Sequence, residues 1–289
     1  MIRHLRTSLF GPFALTVVLV LGIPTIAISG SDEQLVDELI DRSGLKQQIP
    51  RLPTEYMALV DQVLAGLDRR NPMPKSVRQE LRQSFVDALS SDRFEPQIRS
   101  RLLDTLSQDT SIATVNWLRS DLGKKITAAE VNVGSPERSV QLATFMLRLQ
   151  LERPTPERLQ LVRRIQEITQ GSEMATNAWE AIIGAFARAL EGGLRGNKFQ
   201  ANEKLEQFMA SIRGSMKGMF EQGQIFEALF TYQTVTDEEL KQYAEFLETP
   251  AGREVTKSIN SAIQGVAIDA LKNIRPLQLR HRQPPGDSA

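Results

Sequence analysis

Apolar residues recur at three- and four-residue spacing along nearly the whole chain, and no stretch alternates with period two for long. That spacing is what a helix needs to bury one face and wet the other. Leu35, Val36, Leu39 and Ile40 form the first stripe, opened by Ser31-Asp32-Glu33 and stopped near Gly44. Tyr56, Leu59, Val60, Val63, Leu64 and Leu67 form the next, ended by Asn71-Pro72-Met73-Pro74. Val77, Leu81, Phe85 and Leu89 follow, then Ile98, Leu102, Leu103 and Leu106 after Pro96. Start signals support these elements. Ser135-Pro136-Glu137 and Thr155-Pro156-Glu157 each place a hydroxyl cap, a proline at the first helical position and an acid in the first turn, where the dipole favours negative charge. Thr236 to Glu239 reads as a capping box. The predicted fold class is all-α.

The stretch TDEELKQYAEFLETPAGREV, Thr236 to Val255, is a capped amphipathic helix, a forced break at Thr249-Pro250 and an immediate helical restart. Proline disfavours helical geometry at the residue before it and cannot donate to the preceding turn. A fainter copy, SIATVNWLRSDLGKKI, spans Ser111 to Ile126 at an offset of roughly 129 residues, which points to a duplicated helical unit. Leu35, Val36, Leu39 and Ser43 match Leu161, Val162, Ile165 and Thr169 at roughly 126. The expected organisation is a signal peptide over 1–29, a first helical repeat over 30–133 and a connecting segment with a central helix over 134–155. A second repeat over 156–274 and a disordered tail over 275–289 complete it. In the connecting segment Val140, Leu142, Phe145, Met146, Leu149 and Leu151 are apolar over a wide arc, so that helix is expected to lie buried between two related bundles.

The residues Tyr243, Phe246, Thr249, Pro250, Gly252 and Arg253 of the break resemble the exported bacterial family known as domain of unknown function 2059. The resemblance implies a helical, exported protein and brings no established reaction with it. The first-half copy departs from the pattern, with Trp117 at the aromatic position, Asp121 for the proline and Lys124 for the arginine. The motif needs no ligand to be explained: Thr249 can cap the new helix, Gly252 suits a close approach, and Arg253 can reach a neighbouring helix end. It is expected to be structural.

The N-terminus changes the compartment. Arg3, His4 and Arg6 precede the apolar run Phe13 to Ile23, and Ala27-Ile28-Ser29 offers a small-x-small cleavage pattern. A cleaved signal and a periplasmic or secreted location are expected; the alternative is an inner-membrane anchor, since Leu9 to Ile28 is about long enough to span a bilayer. With no cysteine, disulfides and thiol chemistry are excluded. Lys and Arg number 35, as do Asp and Glu; losing Arg3 and Arg6 leaves a formal charge of about −2. No basic field exists to hold a phosphate backbone, so nucleic acid is not an expected partner. Only 6% of residues are aromatic against 41% hydrophobic overall, so the core is expected to be aliphatic.

Candidate chemistry is sparse. The two histidines are His4 in the leader and His281 in the tail, which excludes histidine-based triads and zinc sites in practice. Gly192-Gly193-x-x-Gly196 follows a helical pattern and reads as a helix terminus, not a phosphate loop. No cofactor, metal or catalytic residue is assigned. Buried acids such as Glu180 beside Trp179, or Glu227 near Phe226, would be the candidates for a carboxylate-dependent cell-wall glycosidase. A binding surface is the alternative. Phe208, Met216, Met219 and Phe220 accompany Gly214-x-x-x-Gly218, while Ala178, Ala181, Gly184, Ala185 and Ala189 line the preceding helix. Small residues let helices approach closely, and methionine adapts to varied partners. The expected function is therefore non-catalytic binding or envelope maintenance through an unidentified envelope protein or apolar ligand, without stable membrane insertion of the mature chain. A carrier with an apolar inter-helix cavity is the second reading.

Overall fold

Every regular element is a helix among the residues that the computed structural model describes, 31–70, 73–131, 136–191 and 198–276. In chain order they are α1 (Asp32–Arg42), α2 (Leu45–Gln48), α3 (Leu52–Arg70), α4 (Lys75–Ala88), α5 (Phe94–Thr105), α6 (Gln108–Leu118) and α7 (Asp121–Val131). There follow α8 (Pro136–Leu151), α9 (Pro156–Thr169), α10 (Gly171–Glu191), α11 (Lys198–Thr231), α12 (Asp237–Leu247) and α13 (Pro250–Lys272). The leader, the Ser135 cap, Gly192 to Gly196 and the tail beyond Pro276 lie outside the described residues.

The caps form where hydroxyl residues precede the stripes. Ser31 and Thr236 make full capping boxes with Gln34 and Glu239. Thr155 and Thr249 accept from the backbone N–H groups of Arg158 and Gly252, each ahead of a proline in the first turn. Two chain reversals use left-handed backbone: Gly44 after α1 (φ 80°) and Gln170 after α9 (φ 54°). Glutamine carries a β-carbon there, which costs more than glycine would.

One continuous apolar core joins residues from both halves of the chain. Its centre is α13, which packs against α4, α5, α6, α9, α10 and α12. Val255, Ile259, Ile263 and Ala267 of α13 are fully buried, and small residues around them let neighbours close in from several sides. The expected central helix is therefore placed differently. α8 lies on α11, where Phe145 meets Phe230 with ring centroids 5.3 Å apart. Its opposite side is open: Val140, Leu147 and Leu151 are 69%, 65% and 87% exposed. The wide apolar arc of α8 reflects two apolar sides, of which only one is covered.

Several contacts recur at the offsets seen in the sequence. α6 and α12 are both 11 residues long and α7 and α13 start at matching positions after them. Arg119, the C-cap of α6, grips Glu38 of α1 through two hydrogen bonds of 2.8 and 2.7 Å. Arg164 of α9 grips Glu248, the C-cap of α12, in the same bidentate way with the charges exchanged. Lys125 of α7 reaches Glu239 of α12, while Glu254 of α13 accepts from the Thr110 hydroxyl and the Ser107 N–H at the start of α6.

Candidate functional site

The break between α12 and α13 is built from backbone upward. Thr249 donates its N–H to the Phe246 carbonyl at 2.8 Å, and its hydroxyl accepts from the Gly252 N–H at 3.0 Å, so one residue ends α12 and caps α13. A β-carbon at Gly252 would collide with the Phe246 carbonyl oxygen and come within 2.9 Å of Leu247 Cα. Glycine is therefore required by a close approach of backbone, not by a positive φ. The exposed Arg253 donates from Nε to the Glu248 carbonyl at 3.0 Å, satisfying an orphan at the end of α12. Thr249, Pro250, Gly252 and Arg253 together form an architectural joint. Phe246 is buried against Trp117, whose own break repeats the joint: Ser120 Oγ accepts from the Gly123 N–H at 2.9 Å, and Gly123 is packed against the Trp117 carbonyl and ring.

Tyr243 has a different role. Its hydroxyl donates to Oε1 of Glu130 at 2.8 Å, and the Tyr232 hydroxyl donates to the same oxygen at 2.7 Å. The two hydroxyl oxygens are 3.3 Å apart and their rings meet edge to face. Glu130 is 2% exposed, Tyr232 1% and Tyr243 0%. Burial pushes the Glu130 carboxyl up to about 8, against the opposing pull of the two hydroxyls, and burial beside Glu130 and Tyr232 pushes the Tyr243 hydroxyl well above its ordinary value. Glu130 was not among the sequence candidates. The signal was present nonetheless: Gly123, Ile126 and Glu130 share the buried face of α7, so a carboxylate stands on an apolar stripe.

The acids that were candidates for catalysis sit elsewhere. Glu180 is paired with Arg213 Nε at 3.2 Å. Among the described residues, no group of three or more His, Cys, Asp or Glu is placed to hold a metal ion. No helix among them is long and apolar enough to cross a membrane.

The Met/Phe surface of α11 is brought together only in part. Met216, Met219 and Phe220 are half-buried; the side chain of Phe208 lies outside the described residues. Gly214 and Gly218 differ from the expectation of close helix approach, because a β-carbon at either would meet nothing. The close packing is on α10 instead, where Ala178, Ala185 and Ala189 are buried. Two open depressions lie along α9 and share Arg163 and Glu167. One, of about 350 Å³, is lined also by Gln166, Glu221 and Ile225; the other, of about 570 Å³, reaches Leu159 and Arg164.

No family model matches the chain, and neither the curated proteins nor the solved structures yield a significant match.

Proposed function

We propose that the protein is an exported, non-catalytic binding factor of the cell envelope, and that α8 is the helix it presents to a partner. The observation that carries this reading is the open side of α8. Val140, Leu147 and Leu151 stay largely exposed, and with the exposed Thr144 they recur at spacings of four, three and four. Such a seam is what a second helix with the same spacing covers. An isolated exposed apolar residue is ordinary, but three on one helix side mark an interaction surface. Export rests on the leader pattern, and kinship with domain of unknown function 2059 rests on the Phe246-to-Arg253 joint. The matched offsets of α6 with α12 and of the two ion pairs support a duplicated unit behind both halves.

The carrier reading has less support, since the depressions along α9 to α11 open to solvent and are rimmed by Arg163, Glu167 and Glu221. A photocrosslinking residue at Leu147 in the full chain, compared with one at the exposed polar Gln83 on α4, tests the binding reading in the native envelope. Specific adducts at position 147, mapped to an amphipathic helix of the partner, are expected. Adducts no different from those at position 83 would overturn it.

A further inference from the structure

We propose that Glu130, Tyr232 and Tyr243 form a protonation-controlled latch that fastens the end of α7 to α11 and α12 and so sets how firmly α8 is seated. The reading of α8 as the binding helix gives this latch its use, but the latch stands on its own geometry.

Both tyrosine hydroxyls donate to one oxygen, Oε1. A carbonyl oxygen of a neutral carboxylic acid accepts two such bonds, and its hydroxyl is the other oxygen. An ionised carboxylate oxygen accepts the same two bonds, so the cluster can form in either protonation state and the surrounding charges decide which is favoured. The charged groups on the elements packed around it are committed elsewhere. From α7 itself, Lys125 binds Glu239 of α12 at 2.6 Å. Arg51, ahead of α3, donates to the Val131 carbonyl at 3.2 Å, next to Glu130, and lies beside Glu55. From α9, Arg158 donates to the Tyr232 carbonyl at 2.6 Å and pairs with Asp237. None of these bonds reaches the Glu130 carboxyl, so an ionised Glu130 would be a buried charge answered only by two neutral donors.

Packing does not require the acid. Ile259, Leu103 and Thr114 stand at the positions matching Glu130, Tyr232 and Tyr243 under the offset that relates the two breaks. Ile259 and Thr114 are both 0% exposed and Leu103 packs against the core. The same framework is filled there without a carboxylate or a phenol. The latch also sits where it can act on α8. α8 is the next helix after α7, and its anchor Phe145 rests on Phe230, two residues from Tyr232.

The linkage has a defined sign. The folded value near 8 lies above the ordinary 4.5, so the latch is at full strength below about pH 4.5. It weakens about tenfold in its closing equilibrium per pH unit from there to about 8, and then levels off. Glu55, raised to about 8 by burial against the lowering effect of Arg51, titrates in the same window, so the test compares wild type with Glu130→Gln.

Amide hydrogen exchange of the full chain at pH 5.5 and 7.5, corrected for intrinsic rates, measures the opening of 126–131 and 140–151. Wild-type protection there should fall by about a hundredfold over those two units, while Glu130→Gln should keep only the smaller change that Glu55 contributes. Should Glu130→Gln fail to fold, Tyr232→Phe serves: losing a donor that favours the ionised form should move the wild-type transition to higher pH. Protection in wild type that does not change with pH, or an equal loss in Glu130→Gln, would overturn the latch. Neither result bears on whether α8 binds a partner, which the crosslinking decides.

Discussion

Trp117 and Phe246 stack with ring centroids 6.2 Å apart and planes within 21°, so the two helix breaks meet in the core through their own aromatic residues. Each ring precedes a hydroxyl cap by three positions and a tightly packed glycine by six. The two breaks thus share one ring contact in the core.

Gly123→Ala and Gly252→Ala should each lower stability by about 1–3 kcal/mol, since the new methyl must displace backbone carbonyl oxygen rather than a flexible side chain. Chemical denaturation of the two single variants and the double measures this. Because the rings touch, the two losses should not add. A double variant whose loss equals the sum of the singles would show the breaks to be independent.

Asn260 should matter more than its polarity suggests. Buried in α13, it donates from Nδ2 to the Thr169 carbonyl at 2.8 Å, at the end of α9 where the chain turns through left-handed Gln170. Asn260→Leu keeps the branching and heavy-atom count but adds bulk at a buried position and leaves that carbonyl without its donor, which should cost about 1–3 kcal/mol. Thermal unfolding monitored by circular dichroism would reveal the loss; an unchanged Tm would mean the carbonyl finds another donor.

The helical class, the caps at Ser31, Thr155, Thr236 and Thr249, and the break at Thr249-Pro250 were legible in the sequence because each depends on residues within one turn. What could not be read was which neighbour covers each apolar face. α8 carries apolar residues around much of its circumference, and periodicity alone assigns such a helix to the interior. Whether the second side is covered depends on tertiary packing, which gave the central position to α13. Glu130 was missed for a related reason: its two hydroxyl partners come from 102 and 113 residues away. A carboxylate on a buried stripe is visible in sequence, but its donors are not. Likewise the spacing of Gly214 and Gly218 says that close approach is possible, while the structure leaves that side open.

Leu147→Arg and Leu151→Arg on α8 should leave the melting temperature within about 1 kcal/mol equivalent of wild type, since both side chains are already in solvent. The same changes should abolish adducts from a crosslinker placed at the neighbouring exposed Thr144. Measuring both quantities on one set of variants separates binding from folding. A large fall in stability would place this side of α8 against the protein itself.

The exchanged ion pairs give a prediction in which sign matters. Glu38 with Arg119 and Arg164 with Glu248 occupy matched positions with acid and base swapped. Each side chain is a quarter to a third exposed or slightly more, so screening limits a pair to about 0.2–1 kcal/mol. Glu248→Arg alone should destabilise by that amount or somewhat more, because it opposes two cations. Adding Arg164→Glu should restore most of the loss, since the reversed pair then has the arrangement already used by Glu38 and Arg119. The wild-type pairs also set an acid limit. The Arg164 guanidinium holds the Glu248 carboxyl below its ordinary 4.5. For Glu38, hydrogen bonds from Arg42 and Arg119 outweigh the opposing effect of burial and lower it too. A depressed carboxylate contributes stability that is complete above about pH 4.5 and is lost as pH falls through the folded value. The double reversal Arg164→Glu with Glu248→Arg should therefore unfold in acid over the same range as wild type, whereas Glu248→Gln should flatten that part of the profile. Denaturation midpoints from pH 2 to 6 decide it, and an acid limb in Glu248→Gln as steep as wild type's would assign acid sensitivity to other carboxylates.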